Sequence, residues 1–144
     1  MAVEFFDHTA DVGVRISAQS LETLFSEAAL AFTETVTDPA GVSGSSTVHV
    51  SLHTADLDQL LVDWLSELVA LFDIERFLAA SAKVTIREAG GGSRDWTLEA
   101  LVSGERCEPA RHPLRVLVKG ITYHGLGIRR TAQGRWETSV VFDV

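Results

Sequence analysis

The chain has a single cysteine, Cys107, so it cannot close an internal disulfide and lacks the cysteine pairs from which zinc knuckles are built. Its first residues, MAVEFFDHTADVG, contain neither a basic stretch nor a long apolar run, which argues against a secretory leader. No segment approaches the roughly 18 consecutive apolar residues of a membrane-spanning helix. These absences lead to the expectation of a cytoplasmic protein without membrane contact. Basic residues are nearly missing from one half. Residues 1–75 carry 13 acidic residues against Arg15 alone, a net of −12, whereas residues 76–144 carry 7 acidic and 11 basic residues, a net of +4. The whole chain is at −8. An anionic protein has no field to gather phosphates, so non-specific nucleic-acid binding is not expected. A local basic patch from Arg111, Arg115, Lys119, Arg129, Arg130 and Arg135 stays open beside the reading of solvated strand faces.

What is present suits one ordinary domain. A length of 144 residues is enough to bury a core, and 46% hydrophobic with 22% charged residues is globular composition. Leu21, Leu24, Phe25, Ala28, Ala29, Phe32 and Val36 recur at helical spacing after a capping Ser20, and Asp38-Pro39 with Gly41 ends that run. A second helix is expected from about Asp56 to Phe72, with Leu57, Leu60, Leu61, Trp64, Leu65, Leu68, Val69 and Phe72 in one broad stripe. Asp56 and Asp58 at its start suit the positive end of the helix dipole. The remainder alternates with period two: Val12 to Ile16, Val48 to Leu52, Val84 with Ile86, Trp96 to Val102, Leu114 to Val118, Leu126 with Ile128, and Trp136 to Phe142. Gly90 to Gly92 with Ser93, and Ala132-Gln133-Gly134, read as turns. The expected fold is α+β, a single-domain sandwich over residues 1–144 with two main helices packed on mostly antiparallel sheet.

Three segments carry candidate chemistry. Asp7, His8, Thr9 and Asp11 crowd the entry to an apolar strand, either as a capped turn or as a site. At the other end, Asp143 closes the last strand beside Val144, so its carboxylate would lie next to a terminal carboxylate. That is either a solvated end or half of a cation site, since two neighbouring anions repel each other. Oxygen donors without cysteine favour a hard ion, Ca²⁺ or Mg²⁺, over zinc. The third segment, Val118-Lys119-Gly120-Ile121-Thr122-Tyr123-His124-Gly125-Leu126, alternates polar and apolar groups. It reads equally as an anion grip and as a sheet face with satisfied hydroxyls. Cys107 lies in what reads as a polar turn from Gly104 to Pro109, with no base placed to activate it.

Taken in order, His8-Thr9-Ala10-Asp11-Val12-Gly13, Ser20-Leu21-Glu22-Thr23-Leu24-Phe25, Asp56-Leu57-Asp58-Gln59-Leu60-Leu61, Trp64-Leu65-Ser66-Glu67-Leu68, Lys119-Gly120-Ile121-Thr122-Tyr123-His124 and Phe142-Asp143-Val144 resemble the archease family. The resemblance runs over essentially the whole chain. Gln19, Gly120 and Val144 depart mildly from the residues the family commonly has there. The resemblance implies a non-catalytic partner of the GTP-dependent tRNA-splicing RNA ligase. Such a partner promotes the ligase's guanylylation and repeated turnover, and touches tRNA only indirectly or weakly. It also implies a Ca²⁺ site (Mg²⁺ or Mn²⁺ as substitutes) made by Asp11, Asp143 and Val144, with Asp58 or Asp56 as a further ligand. Lys119 matches a functional lysine of the family, with His8, His124 and Tyr123 as further candidates for activating the partner. Two competing readings stand beside this one: a metal-dependent phosphoester hydrolase, and a metal-free chaperone or interaction module.

Overall fold

The computed structural model describes residues 2–8, 11–90, 95–122 and 127–144, without the side chains of Phe6, Asp7 and His8. Two antiparallel sheets and two helices make an α+β sandwich. The larger sheet pairs β1 (Ala2–His8) with β2 (Asp11–Ala18), β2 with β8 (Trp136–Asp143), and β8 with two short strands, β6 (Gly120–Thr122) and β7 (Arg129–Arg130). The smaller sheet places β5 (Trp96–Arg106) between β3 (Ser46–Thr54) and β4 (Phe77–Glu88). Helix α1 spans Leu21–Val36 and α2 spans Leu57–Glu75.

The helices begin where their caps stand. Ser20 Oγ accepts from Thr23 N–H and Asp56 accepts from Gln59 N–H, each filling one of the amide positions that a helix start leaves without an intrahelical acceptor. Helix α1 joins the two sheets. Its Ser26 and Thr33 hydroxyls donate to the carbonyls of Ala82 and Ala79 on β4, and its Phe32 ring lies 6.0 Å from Phe142 of β8. Trp64 of α2 is fully buried and donates its indole N–H to Phe25 O at 2.9 Å, so the heaviest side chain of the core leaves no orphan donor. One hydrophobic cluster takes side chains from both helices and both sheets. On the larger sheet, Val14, Ile16, Val140 and Phe142 face this core. Residues of opposite parity, Asp11, Arg15, Ser17, Glu137, Ser139 and Asp143, therefore lie on the outward face.

Three expectations need correction. The alternating run Leu114 to Val118 joins no ladder among the described residues: Arg115 N–H bonds Val36 O at the end of α1, and its guanidinium bonds Glu34 O. Gly104 to Arg106 belong to β5 and are not part of a turn; a Cβ at Gly104 would run into the Leu78 carbonyl oxygen, beside the register shift at Ala79/Ser81. Residues Ala2–His8, expected to precede the first strand, form an edge strand themselves. The turn at Gly134 is as expected, with φ +79° and a bond from Thr131 N–H to Arg135 O. Most of the Gly90–Ser93 turn, and Leu126, lie outside the described residues.

Candidate functional site

Strand register assembles the site. Inward placement of Val12, Val14 and Ile16, or of Val140 and Phe142, fixes the direction of Asp11 at one strand end and Asp143 at another. The two aspartates are direct partners across the β2–β8 ladder, so their side chains leave the same face. His8 is the register partner of Asp11 on β1, and Gly120 is the partner of Asp143 on β6. Lys119, exposed at its side chain, donates its backbone N–H to Asp143 O at 2.7 Å. One row across four strands thus holds His8, Asp11, Asp143 and Gly120, with Lys119 at its flank. Gly120 brings no side chain to that row, and a Cβ there would meet nothing within 4 Å. The side chain of His8, and all of Thr9, Ala10, Tyr123 and His124, lie outside the described residues.

The two remaining acidic candidates have other partners. Asp56 Oδ2 accepts from Gln59 N–H at 3.3 Å as the cap of α2. Asp58, half-buried, accepts from Ile128 N–H at 2.9 Å through Oδ1, and so pins the chain just ahead of β7. Val144 packs partly against the core beyond the end of β8. Among the described residues, no three His, Cys, Asp or Glu side chains gather into a metal-holding group. The row still fits a hard cation in its donor chemistry: Asp11 and Asp143 would hold the ion through carboxylate oxygens, and its charge would offset the repulsion between two carboxylates directly opposite each other.

A second acidic centre went unnoticed in the sequence. Glu105, at the end of β5, accepts from Ser43 N–H at 2.6 Å, from Arg111 Nη2 at 2.7 Å and from His112 Nε2 at 3.0 Å. His112 Nδ1 accepts from Glu108 N–H, which places the ring proton on Nε2, directed at Glu105 and at Gly41 O. The Ser43 amide, then the hydrogen bonds of Arg111 and His112 and the charge of Arg111, hold the Glu105 carboxyl below the usual range against the opposing effect of burial. A buried histidine seven residues after a buried glutamate was the available signal, but the intervening turn hides it.

The arginines of the candidate basic patch are each engaged within the chain. Arg111 pairs with Glu105, Arg115 caps the end of α1, Arg129 pairs with Glu137 at 2.6 Å, Arg130 lies over the Trp136 ring, and Arg135 donates to Ser17 Oγ.

The Archease protein family model matches residues 3–144, which include Asp11, Lys119 and Asp143. The chain belongs to the archease family. It is 38% identical over 142 residues to the protein archease of Methanosarcina mazei, covering 98% of this chain and 94% of that one. Against the protein archease of Pyrococcus furiosus the identity is 33% over 141 residues, covering 98% and 97%. The solution structure of protein 1598 from Methanobacterium thermoautotrophicum superposes with a TM-score of 0.84 at 34% identity, covering 99% of this chain and 98% of that one. The archease fold is therefore the two-sheet, two-helix sandwich described above. Among its described residues, no helix is long and apolar enough to cross a membrane.

Proposed function

We propose that this archease is a non-catalytic accessory protein of the GTP-dependent RNA ligase of tRNA splicing and RNA repair, acting in the cytoplasm. On this reading it promotes the ligase's guanylylation and its repeated turnover. The observation that carries the proposal is the family match along the chain, with Asp11 and Asp143 paired on adjacent strands. In this reading Asp11 and Asp143 hold a calcium-type cation. Val144 and Asp58 serve as further oxygen donors, Asp56 being the less suited because its carboxylate caps α2. The cation supplies a fixed positive charge at an otherwise anionic sheet edge. The chain's own residues do the rest: Lys119 fixes the end of β8 through its amide and keeps its ammonium in solvent. The exposed ammonium is then available to the partner, with His8 and His124 as further contacts. An acidic protein suits a basic, RNA-handling partner, since opposite fields speed encounter.

The test is a single-turnover guanylylation assay of the ligase with and without this protein. Asp11→Ala and Asp143→Ala are expected to abolish stimulation while circular dichroism and melting show an intact fold. Full stimulation by either variant would remove the row from the function. Hydrolysis of generic phosphoesters by the pure protein with Mg²⁺ or Mn²⁺ would instead favour an enzyme. Stimulation that persists without any cation binding would favour a metal-free module.

A further inference from the structure

Six large apolar side chains stand exposed among the described residues: Phe5, Ile74, Leu101, Leu114, Val116 and Leu117. Ile74 on α2 and Leu101 on β5 are single exposures of the kind any surface carries. The other four gather at one corner. Leu114, Val116 and Leu117 lie within one stretch of four residues, and Phe5 shares a groove with Val116. That groove holds about 240 Å³ and is completed by Val12, Glu34, Thr35 and Arg115. It falls below the roughly 300 Å³ at which small-molecule sites begin, and suits a side chain or two of a docked segment. Phe5 is the direct partner of the core residue Val14, so it leaves β1 on the inward face. Helix α1 packs against β2 and β8, which leaves β1 open at Phe5.

Backbone groups beside the groove also stand without a ladder. Among the described residues β1 pairs with β2 alone, so its other edge is free. The edge of β4 is treated differently: α1 covers it with Ser26 and Thr33, and Glu22 accepts from Ile86 N–H at 3.3 Å. Leu114 to Val118 alternates like a strand, yet among the described residues Arg115 alone in that run gives its amide to the chain. The charge here is one-sided. Glu34 lines the groove with a carboxylate that has no partner among the described residues, while the Arg115 guanidinium turns to the Glu34 carbonyl. Glu4 neighbours Phe5, in a half of the chain with a net of −12. A second copy would bring a further −8 against this edge, whereas a basic segment is drawn to it.

We propose that an extended segment of the partner ligase, apolar at alternate positions and basic between them, adds to β1 as a further strand. The inference rests on the ligase reading above. The residue opposite Phe5 enters the groove against Val12 and Val116, and its neighbours turn to the face that carries Glu4. Strand β1 runs to His8, the partner of Asp11, so the added strand reaches the Asp11–Asp143 row. Docking and activation are thereby divided between neighbouring surfaces.

The test is calorimetric binding of the ligase, together with stimulation of its guanylylation as a function of the concentration of this protein. Val116→Ser and Leu117→Ser should each weaken binding about tenfold. The concentration for half-maximal stimulation should rise by the same factor while the maximum stays that of the parent. Ile74→Ser and Leu101→Ser remove exposed apolar side chains elsewhere and should behave like the parent. Amide exchange along β1 should slow when the ligase binds, because an added strand closes the free edge. Groove variants that bind like the parent, control variants that lose as much, or unchanged exchange in β1 overturn the proposal and leave the ligase reading standing. Loss of binding in Asp143→Ala alone would put docking at the row and overturn it likewise. A parent that binds no ligase overturns both. A parent that dimerises, with the dimer lost in Val116→Ser, makes a second copy the occupant and also overturns the proposal.

Discussion

The Glu105 cluster and the Asp11–Asp143 row are both built around carboxylates at strand ends, yet their neighbours differ in kind. Glu105 faces an amide, a guanidinium and an imidazole, each donating to it within 3.0 Å. The nearest ladder partner of Asp143 is another aspartate. The first arrangement is complete within the chain and ties the loop after β5 to Gly41 and Ser43. The second gathers like charges at one edge, which folding alone does not favour. The first set of charges is of opposite sign and closes on itself, whereas the second sets two carboxylates side by side, a donor set whose chemistry suits a hard cation.

The largest expected contrast comes from breaking the closed cluster. His112→Leu removes the donor to Glu105 and Gly41 O and the acceptor for Glu108 N–H, all at a residue 1% exposed. The cost should be roughly 3 kcal/mol, given about 1–3 kcal/mol for each buried group left unpaired and partial repair by water. Urea denaturation checks the loss. Stimulation of the ligase per folded molecule should be unchanged, which separates this cluster from the row.

The next effect belongs to the row. If Asp11 and Asp143 hold a cation, calcium at a hundredfold excess over Kd should add about 2.7 kcal/mol to stability. The gain should vanish in Asp143→Ala, and melting curves with calcium and with chelator are sufficient to read it. A calcium gain of equal size in the variant would place the ion elsewhere.

The two regions also differed in how far the sequence revealed them. Helices α1 and α2 were legible because their apolar stripes and the caps at Ser20 and Asp56 carry the same message. Alternation marked the strands that carry Asp11 and Asp143, but the adjacency of the two aspartates is a matter of register, which one strand read alone does not contain. The family resemblance supplied the link between the chain's ends. The closed cluster was hidden because Glu105 continues β5 through a glycine that permits close approach to β4, a tertiary fact written as a loop-like Gly-Glu-Arg. Leu114 to Val118 misled for the opposite reason: a strand pattern needs a partner strand, and here the Arg115 amide bonds the end of α1 instead.

Acid should weaken the closed cluster. The folded-state carboxyl of Glu105 is depressed, so its contribution is fully present above the ordinary glutamate range. It is lost as pH falls through the ordinary value and on toward the lowered folded one. Denaturation midpoints measured from pH 7 down to pH 3 should therefore decline less steeply for Glu105→Gln than for the parent, starting from a lower value at pH 7. Parallel curves would show that Glu105 is not the group being titrated.

The smallest effect sharpens the comparison most. Asp143→Asn keeps the size and strand position of the residue and removes one of the two facing charges. In chelator at neutral pH it should stabilise the protein by about 0.2–1 kcal/mol, the range for opposed charges on neighbouring strands. The same variant should lose the calcium gain and the stimulation of the ligase. A substitution that improves the fold while removing the activity is what a row kept for an external ion should show. Destabilisation in chelator would mean instead that Asp143 is held within the chain, as Glu105 is, and the distinction between the two regions would fail.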